Sequence, residues 1–142
     1  MNEKQLAVVN EKETLIESLE SANNLFFCTM SVNDEKGKYN LYKVMNNPDY
    51  RTSDCINQKI KIRDVYCEAV DCVSEQTGEV TTCPRVVLID MDGKSYVSVS
   101  FGIYNSLRKL FAIFGAPTWE NGVEVTVKQK TNKDHKILIL DV

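Results

Sequence analysis

The chain has 142 residues, enough for one domain with a modest extension, and its 43% hydrophobic content is that of a globular protein. A net charge of −3, from 17 basic and 20 acidic residues, argues against a reader of duplex DNA, which carries a strong basic excess. No apolar run approaches the roughly 20 residues of a membrane span, and the acidic, polar start MNEKQLAVVNEKE is unlike a signal peptide, so a cytoplasmic protein is expected. The charge is uneven: residues 1–54 carry nine acidic side chains against six basic, whereas from Cys55 onward the signs balance at eleven each. A balanced domain still builds a basic groove if its lysines share one face.

Asn10 followed by Glu13 resembles a capping pair ahead of Leu15, Ile16 and Leu19, which predicts either a short helix over residues 11–21 or, because few of its residues are strongly apolar, a frayed tail. LFFCTMS (25–31) and YNLYKV (39–44) flank a polar loop carrying Gly37 and are expected to form a β-hairpin. A lone hairpin is marginal in water, so it must dock on something, and its strands at Phe26 and Tyr42 invite edge pairing with another copy. Asn46-Asn47-Pro48-Asp49 breaks the pattern and begins a linker to about Asp54. The expected organisation is an N-terminal extension over 1–54 and a barrel over 55–142.

Residues 59–73 read as a long first barrel strand in which Ile60 and Ile62 alternate with Lys59, Lys61 and Arg63, and the alternation slips near Arg63-Asp64, as at a bulge. A polar connection around Gly78 leads to a second strand over 83–90, with Pro84 near its start. Met91-Asp92-Gly93 supports a tight turn into a third strand over 94–101. There Val97, Val99 and Phe101 are expected inside, and Lys94, Tyr96, Ser98 and Ser100 outside. Ile103, Leu107, Leu110, Phe111 and Phe114 form a helical stripe closed by Gly115 and Pro117. Val123, Val125 and Val127 mark a fourth strand, 131–136 a loop, and 137–142 a fifth strand. A helix between strands three and four is the order of a small five-stranded barrel of the oligonucleotide-binding (OB) class, whose members commonly bind single-stranded nucleic acid. The fold class is therefore mainly β.

Enzyme motifs are missing: there is no G-x-x-x-x-G-K-[ST], G-x-G-x-x-G or G-x-S-x-G, so no catalytic residue and no cofactor is assigned. His135 reads as a solvated loop residue, and Asp90 and Asp92 as turn-forming carboxylates rather than cation ligands. Cys28, Cys55, Cys67, Cys72 and Cys83 are odd in number and lack C-x-x-C spacing, which points to reduced thiols in or near the core and to no metal site. Binding a single strand needs flat rings for bases and a basic track for phosphates. Tyr96, beside Lys94, is the leading stacking residue, with Tyr66 a second. Trp119 is either a plug closing the barrel or a base platform. The track is Lys59, Lys61 and Arg63 on the first strand, Arg85 on the second, and Lys128, Lys130, Lys133 and Lys136 at the last hairpin.

The strings QTGEV, RVVLIDMDGKSYVSVSFGIYNSLRKLF, GAPTW, VEVTVKQK and ILIL, preceded by MNNPDYRTSDCINQKIKIRDV, resemble single-stranded DNA-binding proteins of bacteriophages of Gram-positive bacteria, including those with protein-primed replication. The resemblance covers about residues 26–142. It implies an OB-class barrel that coats single-stranded DNA in the host cytoplasm during viral replication, with replication proteins as further partners; self-association is expected from the hairpin edges at Phe26 and Tyr42 and suits cooperative coating. The sequence ends at Asp141-Val142 without the acidic tail by which many bacterial counterparts recruit partners, so tail-mediated recruitment is not expected. Two rival expectations are a phage module that binds a host protein, which the acidic net charge favours, and a nucleotide sponge using the barrel mouth.

Overall fold

A computed structural model describes residues 6–7, 26–133 and 135–142. In chain order the elements are β1 (Leu6–Ala7), β2 (Phe26–Cys28), α1 (Glu35–Asn46), β3 (Tyr50–Arg51), a 3-10 turn (Thr52–Asp54), β4 (Lys59–Val73), β5 (Val80–Asp90), β6 (Ser95–Ser98), α2 (Phe101–Phe114), β7 (Val123–Asn132) and β8 (His135–Asp141). The protein is mainly β, with a sheet that curls into a half barrel. The helix expected over 11–21 lies outside the described residues.

The organising strand is β4. Its first residues pair with β7, Lys59 opposite Thr126 through Ile62 opposite Val123. Its later residues pair with β5, and Tyr66–Glu68 also pair with β2. The register shifts between Ile62 and Asp64. Ile60 and Ile62 face the core before the shift, and Val65 and Cys67 face the same core after it, where unbroken alternation would have put Asp64 and Tyr66. The slip in the sequence pattern is thus an inserted residue that bends the strand and exchanges its faces.

The irregularity is held from outside. The Arg63 carbonyl accepts from the Trp119 N–H at 2.9 Å. The buried Asp64 carboxylate accepts from the hydroxyls of Thr29 at 2.8 Å and Thr118 at 2.5 Å. These bonds tie the segment after β2 and the loop before β7 to one point on β4.

Two apolar layers result. The larger joins the inner face of the sheet to α2 and contains Phe27, Ile60, Ile62, Val65, Leu88, Ile103, Leu107, Trp119 and Val125. The rings of Phe27 and Trp119 both meet Phe111 edge-on, at 5.9 and 5.8 Å. Burying a ring such as Phe27 stabilises by about 1.5–3 kcal/mol. The smaller layer lies on the outer face, where Tyr66, Val87, Ile89 and Val97 pack under Leu41, Val44 and Met45 of α1.

Residues 39–44 are not a strand. Asp34 caps α1 by accepting from the Gly37 N–H at 2.7 Å, and Glu35 adds an acidic residue in the first turn. Gly37, Leu41, Val44 and Met45 then recur at helical spacing on the packed face. A Cβ at Gly37 would collide with the Ser31 carbonyl, so only glycine lets the helix sit this close. The expected hairpin fails because a period of 3.6 fits this apolar set and a period of 2 does not. Of the residues expected to be a linker, Tyr50 and Arg51 form an edge strand parallel to Tyr96 and Val97 of β6.

The facing expected for the third barrel strand is also corrected. Tyr96 pairs with Leu88 and packs on the main core, whereas Val97 pairs with Val87 and faces α1. Both faces of this strand are covered, so alternation could not tell inside from outside. Phe101 and Phe114 are 53% and 51% exposed, not core. The strand ends at Ser98, and Ser100 caps α2 through the N–H groups of Gly102 and Ile103, which puts Phe101 on the exposed side of the first turn, while Ile103 and Tyr104 face the core.

Candidate nucleic-acid interface

Four of the expected basic residues share one surface. Lys59 and Lys61 project from β4 opposite to the buried Ile60 and Ile62. Across the ladder their partners on β7 are Thr126 and Glu124. Lys128 and Lys130 lie on that same face of β7 and pair with Ile139 and Ile137 of β8. Strand pairing thus brings together lysines about seventy residues apart in sequence, interrupted by Glu124 and Asp141. Lys128 donates to Asn57 Oδ1 at 3.3 Å. Lys133 sits in the β7–β8 turn with φ of 57°, and Lys136 is exposed near the same tip but opposite Thr131, hence on the other face.

The remaining candidates are placed elsewhere. Arg63 is exposed at the irregularity, with Nε 3.8 Å from Asp64 Oδ2. Arg85 is largely shielded and pairs with Glu68 at 3.4 Å. The other oxygen of Glu68 accepts from the Tyr66 hydroxyl at 2.9 Å. Tyr66 is completely buried, and burial together with the neighbouring carboxylate raises its pKa well above the ordinary tyrosine value. It supports α1 and offers no face to a base. Trp119 is buried and donates from Nε1 to the Gly115 carbonyl at 3.1 Å. Its ring packs against Phe111 and Phe114 in the main core. Lys94 is exposed in the β5–β6 turn, where Asp90 Oδ1 accepts from the Asp92 and Lys94 N–H groups, each at 2.9 Å.

Tyr96 is half-buried. Its hydroxyl donates to Asp90 Oδ2 at 2.8 Å, and burial first, then this bond, raise its pKa. One flank of its ring is covered by Tyr50, with centroids 5.2 Å apart and planes 25° from parallel. Tyr50 is itself 44% exposed, so the pair ends in an open ring at the sheet edge. The neighbouring Asp49 fixes this edge. Its carboxylate accepts from Lys43 Nζ at 2.8 Å and from the Ser95 N–H at 3.0 Å, and the Lys43 bond is the main cause holding its pKa below the ordinary value. Sequence reasoning missed Tyr50 because a two-residue edge strand beside Pro48 has no periodicity to detect; a tyrosine between Asp49 and Arg51 was the only signal.

All five cysteines are free thiols, with Cys55, Cys67 and Cys83 buried. Burial pushes Cys28 up to about 11, and a hydrogen bond with Cys83, followed by burial, pushes Cys72 up to about 11. Neither is poised as a thiolate nucleophile at neutral pH. Among the described residues no helix is long and apolar enough to cross a membrane.

A family model described as phage single-stranded DNA-binding protein, of the Phi29 type, matches residues 20–142. No curated protein and no solved structure matches the chain. The match takes in β2 through β8, the lysine face and the Tyr50–Tyr96 pair, and it spans most of the sequence. The chain belongs to the phage single-stranded DNA-binding protein family.

Proposed function

We propose that the protein coats single-stranded DNA without sequence preference during phage replication, acting as a binding protein and not as an enzyme, in the host cytoplasm. The reading places the strand on an OB-like barrel built from β4–β8 over residues 55–142, with residues 1–54 as an extension that includes α1. Lys59, Lys61, Lys128 and Lys130 neutralise phosphates on one face, joined by Lys133 in the hairpin turn, with Lys136 on the opposite face of that tip. A base stacks on the open ring of Tyr50 with Tyr96 behind it. Such stacking is sequence-tolerant because every base has a π face. Replication proteins and further copies of the chain are the expected partners.

The observation that carries this reading is the convergence of four lysines from β4 and β7 on one sheet face, three of them exposed and Lys128 half-buried, in a family that binds single strands. The test is oligo-dT affinity at several salt concentrations. Each phosphate neutralised contributes a log–log slope of about −0.7 on a single strand. Lys61→Glu/Lys128→Glu should flatten the slope by about 1.4, because two phosphates are no longer neutralised. A slope equal to that of the unsubstituted protein would remove this face from the phosphate path.

A further inference from the structure

We infer that the outward face of α1 is a second binding surface for single-stranded DNA, a site that deepens the single-strand reading and rests on it. With Gly37, Leu41, Val44 and Met45 turned to the sheet, helical geometry turns Lys36, Tyr39, Tyr42 and Lys43 away from it. Tyr39 and Tyr42 are each 69% exposed, the most open aromatic rings among the described residues. They stand three positions apart, which sets their Cβ atoms about 5–6 Å from one another on one helix face. The helix carries three lysines and one glutamate, in a chain whose net charge is −3. Lys36 and Lys38 have no ion pair among the described residues, while Lys43 is engaged by Asp49. Two open tyrosines flanked by free ammonium groups supply both needs of single-strand binding: surfaces for bases and charge for phosphates.

The helix is fixed firmly enough to present them. Asp34 caps its start, Gly37 lies against the Ser31 backbone, Val44 is buried on Tyr66, and Lys43 is bonded to Asp49 near its end. The Lys43–Asp49 bond also joins α1 to the edge that carries Tyr50. A second copy of the chain is a poorer occupant. A two-fold pairing sets the same patch against itself, and here that would face lysine against lysine, whereas a single strand brings the opposite charge.

The experiment uses the full chain and labelled oligo-dT in two lengths: one within a single OB site, roughly 4–16 nucleotides, and one several times longer. Tyr39→Ala/Tyr42→Ala should weaken binding of the long strand about tenfold or more, because two stacking surfaces are removed. Its thermal midpoint should not move, because both rings lie outside the packed layers. Lys36→Glu/Lys38→Glu should flatten the salt slope by about 1.4 while the fold stays intact. Unchanged affinity at both lengths, in variants that still bind oligo-dT, would exclude α1 and leave the β4–β7 face standing. Failure of the unsubstituted protein to bind oligo-dT would instead overturn the single-strand reading itself. If sedimentation without DNA shows that the tyrosine variant no longer self-associates, and short-strand affinity is unchanged, the face belongs to a second copy and the inference is wrong.

Discussion

Replacing Tyr96 with alanine should cost both stability and affinity, and the two losses have separate origins. The hydroxyl donates to a buried carboxylate, Asp90, at 2.8 Å. A hydrogen bond to a charged group contributes about 1.5–3 kcal/mol. The stack on Tyr50 at 5.2 Å contributes about 0.5–1.5 kcal/mol beyond buried area. The half-buried ring adds packing against the main core, which places the total at about 3 kcal/mol, the lower end of the range for aromatic truncations. For a chain of this length that is a fall of about 10 °C in Tm. Affinity should fall as well, since one stacked base is worth about 1–3 kcal/mol. Tyr96→Phe separates the two origins, because it keeps the ring and removes only the bond to Asp90. Thermal unfolding and oligo-dT titration on both variants, at a temperature where each is folded, decide the matter. An alanine variant with unchanged Tm would refute the packed position of Tyr96. A phenylalanine variant with weakened affinity at unchanged stability would show that the hydroxyl, not the ring, meets the DNA.

Asp64→Ala removes the acceptor shared by Thr29 and Thr118, so urea unfolding should show a loss of about 3 kcal/mol, seen as a lower midpoint with an unchanged slope; Asp64→Asn, which keeps an acceptor oxygen, should lose less. Asp49 titrates below its ordinary value of 3.8 in the folded chain, chiefly because Lys43 bonds to it. Its contribution is therefore fully present above the unfolded pKa and disappears as pH falls through the lower, folded one. Asp49→Asn should be less stable than the unsubstituted protein at neutral pH, and the two stability curves should converge below pH about 4; a constant gap down to strong acid would show that the bonds at Asp49 do not depend on its charge.

The sequence alone determined what depends on local rules. β4 was legible as Lys59–Val73 because isoleucine alternates with charged residues at its start and an apolar, β-branched-rich run continues it, and its bend was legible because that alternation slips at Arg63-Asp64. α2 and the start of β7 followed from strong periodicity, and the turn at Asp92-Gly93 from its chemistry, but the loop expected over 131–136 is largely strand, since β7 runs on to Asn132 and β8 begins at His135. The lysines of the candidate interface could be named, since exposed lysines alternating with isoleucine or valine need no tertiary information. What only the tertiary structure decided concerns places where two layers meet the same residue. Tyr96 and Val97 are both covered, one by the main core and one by α1, so a two-fold pattern could not say which faced water. Tyr66 became the support of α1 because an inserted residue exchanged the faces of β4 and turned it from the main core to the outer layer. Residues 39–44 became a helix because a non-local apolar surface, Val87, Ile89 and Val97, was there to receive Leu41, Val44 and Met45. The docking of that helix buried its apolar side and left Tyr39 and Tyr42 facing outward, since a short amphipathic segment takes its conformation from the surface that covers it.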